Sequence, residues 1–439
     1  MTTLLAFAFV LGVLVFVHEL GHFLMARWHG VRVLVFSLGF GPKLLKVTRG
    51  GTEYALSAVP LGGYVKMAGE SPEEQRTGSP DEFLSKTKWQ RFQILIMGPA
   101  MNIALAIVLL WVVLMQGAHV PVFLDQPPVV GVVTPESPAA RANLRSGDRI
   151  LRVNGKDTPT WDDLDLAIGM KTDRDVQLTM LRDGREEQVT VRPEGKTRYQ
   201  IGDIGVLPDV YPSIESVVAG DPAEKAGLKA GDQIRAINGE RVVFSGDVQQ
   251  IIKRNAEKPM DMRIRRSGED QTISVVPAKR GEIGMIGISI QNETRSFKPG
   301  PLEAIGLSVR RNIEYSGLIL QTLWGLLTGE TSPTQLMGPV GIAQISGESA
   351  QAGWIALFAL MASISLNLGL LNLMPIPVLD GGHILIMGLE TIARRDFSMQ
   401  VKEKMFLAGF VLLMALMVTV VYNDLTRISW IERLMPWRN

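Results

Sequence analysis

Two histidines and a glutamate stand inside an apolar run long enough to cross a bilayer, and few folds can keep them there. Leu4 to Val17 carry no charge, His18-Glu19-Leu20-Gly21-His22 follows, and Phe23 to Ala26 resume the apolar run. Residues four apart share a helix face, so His18 and His22 can turn both imidazoles toward one ion. Glu19 lies beside them, free to act on a metal-bound water. This is the spacing by which helices present ligands to zinc. Ionisable groups at such depth in lipid are costly and mark function by default. A helical His pair can also simply hydrogen-bond within a bundle, so a third ligand elsewhere carries weight.

Composition narrows the field. The chain has 439 residues, room for more than one domain, with 46% apolar and 20% charged residues. That mixture fits membrane spans joined to a soluble part. Lys+Arg number 45 against 44 Asp+Glu, so no basic field points to nucleic acid. There is no Cys, which removes thiol nucleophiles, thiolate zinc sites and disulfide scaffolds. Met1-Thr2-Thr3 lacks a basic n-region and no small-x-small cleavage site precedes the motif. The first segment is expected to be a retained span.

Four segments approach the roughly 20 residues that a bilayer core requires: Leu4–Met25, Ile94–Met115, Trp354–Met374 and Met405–Tyr422. Ile313–Leu327 is shorter and carries Glu314 and Gln321, with Arg310 and Arg311 just before it. It suits amphipathic helices lying at the interface, within 298–350. The only other acid in a comparable apolar setting is Asp380, in Asn372-Leu-Met-Pro-Ile-Pro-Val-Leu-Asp380-Gly-Gly-His383. For Asp380 to reach the depth of the histidines, the first and third spans must run parallel, which a single crossing between them provides. Four spans satisfy this and a fifth does not.

Orientation follows from the short loops. Arg27–Arg91 holds ten Lys/Arg, and Arg394, Arg395, Lys402 and Lys404 crowd the last connection. The positive-inside rule puts both in the cytoplasm. Both termini, including a tail over 423–439, and the long Gln116–Gly353 segment then lie outside. Within 27–93, the stretch Val31–Met67 alternates and is rich in Val, Leu, Tyr and Gly. It predicts short strands with turns at Gly39–Pro42, Arg49–Gly51 and Pro60–Gly63. The sheet is either a small cytosolic one or a membrane-associated one that offers an edge to an extended substrate.

The outer segment repeats itself at a spacing of 84 residues. Pro138-Ala-Ala-Arg-Ala-Asn143-Leu-Arg-Ser-Gly147-Asp148-Arg-Ile150-Leu-Arg-Val-Asn154-Gly155 matches Pro222-Ala-Glu-Lys-Ala-Gly227-Leu-Lys-Ala-Gly231-Asp232-Gln-Ile234-Arg-Ala-Ile-Asn238-Gly239. Asn143 stands where the second copy has Gly227, and both types tolerate a left-handed backbone. The pattern resembles the PDZ domain and implies two α+β modules, 127–200 and 205–279. Such modules bind peptides by strand addition; a purely steric role is the alternative.

With HELGH in the first span, NLMPIPVLDGG after the third and paired PDZ-like modules between, the chain resembles the site-2 protease family, in particular its bacterial members with two PDZ domains. The resemblance covers essentially the whole chain. It implies an α-helical membrane protein with four transmembrane helices (1–26, 94–116, 354–384, which includes the Asp380 loop, and 405–422), a small membrane-associated β-sheet and the inserted outer modules. It implies Zn2+ held by His18, His22 and Asp380, Glu19 as general base, Asn372 on the substrate backbone or oxyanion, and Asn367 nearby. The implied task is the second cut in a single-pass anti-sigma factor in the bacterial inner membrane, together with clearance of remnant signal peptides. The rival is a catalytically inactive PDZ-bearing membrane scaffold, which could lose Glu19 or a ligand; none is missing. A metal transporter would spread polar residues along several spans, whereas here they gather at one depth.

Overall fold

The computed structural model describes residues 2–70, 78–169, 171–195, 201–281, 283–292, 294–329, 331 and 336–426. The elements that matter here run α1 (Thr2–Trp28), β1 (Val33–Arg49), β2 (Thr52–Met67), α2 (Lys88–Gln116), α3 (Pro138–Arg141), α4 (Trp161–Gly169), α5 (Pro222–Lys225), α6 (Ser245–Arg254), α7 (Pro301–Leu327), α8 (Pro339–Ala352), α9 (Trp354–Asn372), α10 (Asp380–Ile392) and α11 (Met399–Thr426). The chain divides into two units: Met1–Gly117 with Lys298–Asn439, and Ala118–Phe297.

In the first unit, α1, α2, α9 and α11 are long and apolar enough to cross a membrane. They are the four segments expected, but α2 and α11 extend past their apolar windows. Apolar length measures the lipid core, whereas a helix runs on until a cap stops it. At α2 the cap is Thr87, whose Oγ1 accepts from the Gln90 N–H while the Gln90 side chain accepts from the Thr87 N–H. The expected outer tail contributes only its first four residues, 423–426, as the end of α11; the remainder lies outside the described residues.

Close helix approach holds this unit together. Val10, Leu14, Leu109, Met361 and Ala362 form one buried cluster between α1, α2 and α9. Small residues and side-chain hydrogen bonds do the rest, as packing in lipid requires. A Cβ at Gly21 would fall 2.9 Å from Met101 Cγ, and one at Gly369 would fall 3.0 Å from the Pro99 carbonyl oxygen. Ser365 of α9 donates to the Asn102 carbonyl of α2 at 2.8 Å. Ser308 of α7 donates to the Ile107 carbonyl at 2.6 Å.

That last bond belongs to the first half of α7, before the stretch Ile313–Leu327 expected to be interfacial. The helix is 27 residues long, and its first half packs on α2 through a buried stripe of Ala304, Ser308 and Asn312. Small polar residues build that stripe, so a hydropathy window does not see it. The shorter α8 packs on the start of α1, where a Cβ at Gly347 would meet Thr3 Oγ1 at 2.6 Å. Asp424, near the end of α11, accepts from the N–H groups of Gly338 and Gly341 at 3.0 and 2.9 Å. The start of α1, the end of α11 and, through α8, the start of α9 therefore lie on one side. α1 and α9 run the same way, as the placement of Asp380 demanded.

β1 and β2 pair antiparallel overall, but each is bent, and the register separates into three short runs with two isolated pairs, Phe40 with Val59 and Lys43 with Ser57. Val33–Leu38 faces Gly63–Met67 on one edge. On its other edge Val35–Leu38 lies beside Glu53–Leu56 in the same direction, and Leu45–Arg49 pairs beyond that. The bends fall at the three expected turns. One end of the sheet is anchored on α1 and α2 through a cluster containing Ala26, Phe36, Val65, Met67 and Ile94. At the other end Leu44, Leu45 and Val47 are exposed.

The second unit holds two modules of like build. The first has strands in the order Lys156–Asp157, Arg149–Val153, Val176–Arg182, Arg185–Val191, packed with α4 over Ile150, Leu164, Leu178 and Met180. The second orders Glu269–Val275, Met260–Arg266, Gln233–Ile237, Ser213–Val217 and Ile288–Gln291, with α6 over Ile234, Val248, Met260 and Ile264. One buried ion pair recurs in both. Arg182 holds Asp148 at 2.6 Å, and Arg266 holds Asp232 at 2.7 Å. Each guanidinium also donates to the carbonyl of the left-handed residue, Asn143 (φ 58°) or Gly227 (φ 87°). The unit begins and ends in paired strands, Ala118–Pro121 against Thr294–Phe297, with Ala118 opposite Phe297.

Candidate metal centre

The helical spacing does what it promised. His18 and His22 project from one face of α1 and are both buried. Asp380, the first residue of α10, meets them. His18 Nε2 lies 3.2 Å from His22 Nε2 and 3.2 Å from Asp380 Oδ2, and His22 Nε2 lies 3.5 Å from the same oxygen. Three donors at about 2.0–2.1 Å from a tetrahedral zinc stand about 3.3 Å from one another, so the triangle fits that ion. Among the described residues this is the one group of three His, Cys, Asp or Glu side chains found able to hold a metal.

α2 sets the orientation of both rings. Its residues Ile94, Gly98 and Asn102 recur every four positions and are buried on one face. The Ile94 carbonyl accepts from His22 Nδ1–H at 2.9 Å, which leaves Nε2 free to point into the triangle. Gly98 gives that ring room, because a Cβ there would fall 2.6 Å from His22 Cε1. Asn102 Nδ2 lies 3.2 Å from His18 Nδ1. Pro99, inside the helix, frees the Leu95 carbonyl, and Leu95 lines the cavity beside the triangle.

The Asp380 loop explains its own sequence. Pro375 and Pro377 end the helical path after α9. Val378 then takes φ 96°, a conformation costly for a β-branched residue and typical of positions held for function. Gly381 and Gly382 let α10 fold back against this loop; a Cβ at Gly382 would fall 2.6 Å from Pro377 Cα.

A cavity of about 380 Å³ opens on the triangle, lined among others by His18, Glu19, His22, Tyr64, Asn372 and Asp380. Its wall includes the edge run Gly62–Val65 of the β-sheet. Glu19 sits against this run, where the Val65 backbone N–H favours its charged form, and Gly63 permits the approach, since a Cβ there would lie 3.0 Å from Glu19 Cγ. Asn367 is placed differently from Asn372. It is one and a half helical turns earlier on α9, donates to the Ser363 carbonyl at 3.1 Å and does not line the cavity. His383 lies in a neighbouring cavity of about 260 Å³ that also touches Asp380. Asn102, Gly98 and the Ile94 carbonyl went unnoticed in the sequence. Asn102 had left a signal, a lone amide in the apolar run Ile94–Met115.

Comparison with known proteins gives the family. The model for peptidase family M50 matches residues 6–416. Protease RseP of Yersinia pestis is 35% identical over 97% of this chain and 99% of its own length. Regulator of sigma-E protease RseP of Escherichia coli K12 is 34% identical over 97% and 98%. Regulator of sigma E protease of Haemophilus influenzae is 33% identical over 96% and 98%. With a donor triangle between an apolar helix and α10, in a chain matched over almost its full length, the comparisons lead to one conclusion: the chain belongs to peptidase family M50, the site-2 proteases, and is a zinc metalloprotease of that type.

Proposed function

We propose that this protein hydrolyses peptide bonds inside membrane-spanning segments, with His18, His22 and Asp380 as zinc ligands and Glu19 as general base. The observation that carries this reading is the donor triangle on α1 and α10, with Glu19 beside it in a cavity at the level of the apolar spans. Zinc, when bound there, supplies Lewis acidity to a water and to the scissile carbonyl. Glu19 takes the proton of that water as its oxygen attacks and passes it to the leaving amine. The Asn372 amide, in the cavity wall, donates to the oxygen on which charge develops.

A transmembrane helix hides its peptide bonds in a hydrogen-bonded ladder, so the substrate must unwind locally. Freed backbone groups in lipid need partners, and the edge Gly62–Val65 beside the triangle can supply them. The names of the relatives, regulators of sigma-E, support a place in the extracytoplasmic stress response. The substrates are then a single-pass anti-sigma factor already cut on its outer side, and remnant signal peptides. The membrane is the bacterial inner one, with both termini and the paired PDZ-like modules periplasmic and the metal nearer the cytoplasm. The modules gate entry by excluding bulky outer parts or by binding a peptide.

Zinc content and cleavage of a model transmembrane peptide, measured together, test the assignment. Wild type should carry about one zinc per chain. Glu19→Gln should keep the zinc and lose cleavage, while Asp380→Asn should lose cleavage and bind zinc weakly. Zinc lost from Glu19→Gln but retained by Asp380→Asn would overturn it.

A further inference from the structure

Asn102 is completely buried, yet its Oδ1 has no hydrogen-bond partner among the described residues. The other half of the same amide lies 3.2 Å from His18 Nδ1. The two ends of a side-chain amide interchange by a simple flip, and which end faces the ring is decided by whether the ring nitrogen carries a hydrogen. The ring beside it has its own requirement. His18 Nε2 points into the donor triangle, and a neutral imidazole that gives Nε2 to a metal carries its hydrogen on Nδ1. A hydrogen on Nδ1 needs an acceptor, not an amide N–H.

From these two observations we infer that Asn102 is a positioning residue for the metal site, its Oδ1 accepting the Nδ1–H of His18. The inference rests on the zinc reading proposed above. The flip gives that oxygen a donor and fixes the tautomer in one move, and the amide NH2 takes the place the oxygen held. It also gives the two imidazoles matching supports from one helix face: the Ile94 carbonyl for His22, and the Asn102 amide eight residues on for His18. Asn102 itself is held from behind through its main chain, where its carbonyl accepts from Ser365. That bond survives any change of the Asn102 side chain, so the side chain can be tested apart from the packing of α2 on α9.

The test compares Asn102→Asp, Asn102→Leu and Asn102→Ala in the full-length detergent-solubilised protein. The readouts are the zinc dissociation constant, by chelator competition, and thermal unfolding with chelator present. If Oδ1 supports His18, Asn102→Asp keeps an acceptor and should bind zinc at least as tightly as wild type. Asn102→Leu and Asn102→Ala should bind about tenfold to a hundredfold more weakly. A residue that only packs helices predicts the reverse order, because an added buried carboxylate should then be the most damaging change. Tighter zinc binding by Asn102→Leu than by Asn102→Asp, or equal binding by Asn102→Ala and wild type, would overturn the inference. Absence of zinc from the wild type would instead overturn the reading beneath it.

Discussion

Replacing Gly98 by Ala adds one methyl group against the His22 ring of the proposed metal site. The new Cβ would lie 2.6 Å from Cε1 and 2.9 Å from Cδ2 of His22, and nearer still to Nε2. Ordinary contact begins near 3.4 Å, so relief at Cε1 alone requires 3.4 − 2.6, or 0.8 Å, of displacement. The ring cannot retreat freely, because its Nδ1–H is bonded to the Ile94 carbonyl one helical turn away. Metal sites tolerate about 0.2 Å, and a misplacement of about 1 Å costs on the order of a hundredfold in rate. Gly98→Ala should therefore bind zinc at least about tenfold more weakly and cleave a model transmembrane peptide about a hundredfold more slowly. Gly12→Ala is the control. It lies in the apolar run of α1, and nothing stands within 4 Å of its added carbon. It should leave zinc and cleavage unchanged, and helix propensity favours it by up to about 1 kcal/mol. Wild-type zinc affinity and cleavage in Gly98→Ala would refute the argument that α2 clamps the ring.

Asp148→Asn should destabilise the outer unit by about 1.5–3 kcal/mol near neutral pH, since it removes the charge-assisted hydrogen bonds between the buried carboxylate and the partly exposed Arg182. Burial alone would raise the Asp148 carboxyl, but Arg182 and the Arg145 N–H outweigh it and hold it below the ordinary range. Its contribution is thus full above pH 4 and lost as pH falls through the depressed value, so the gap between wild type and variant in thermal unfolding should narrow below pH 4. A gap that widens on acidification would contradict this. Topology can be read with single cysteines in a chain that has none: Lys156→Cys and Glu240→Cys should label from outside intact cells, and Ser85→Cys only after permeabilisation. These sites are chosen next to Gly155 and Gly239, whose φ of 80° and 82° makes the glycines themselves poor hosts.

What could be foreseen depended on how far apart in the chain the partners were. His18 and His22 share a helix turn, so their spacing announced their common target. Asp380 could be brought to them from afar only by counting crossings, and the structure agrees because α1 and α9 run the same way. The 84-residue repeat went further than its motif suggested, since the Arg182–Asp148 pair recurs as Arg266–Asp232 although neither arginine lies in the matched stretch. The turns of Val31–Met67 were evident from glycine and proline, but not the pairing of Val35–Leu38 on both edges, which local sequence does not encode. The α2 supports were hidden for the same reason. Gly98 means little until His22 stands against it, and Asn102 looks like any polar residue in a helix until His18 is its neighbour.

The pairing of Ala118–Pro121 with Thr294–Phe297 makes a neck. Paired strands run about 5 Å apart, so the two points where the insertion joins the rest of the chain are almost one point. An insertion mounted this way imposes no distance on its host, and the host imposes none on it. Everything between the neck strands can lengthen, duplicate or be exchanged without moving the helices that carry His18, His22 and Asp380. Doubling of a single ancestral module is the kind of growth such a mount permits. A chain cut back to Pro121 and rejoined to Thr294 through a two-residue turn should still close.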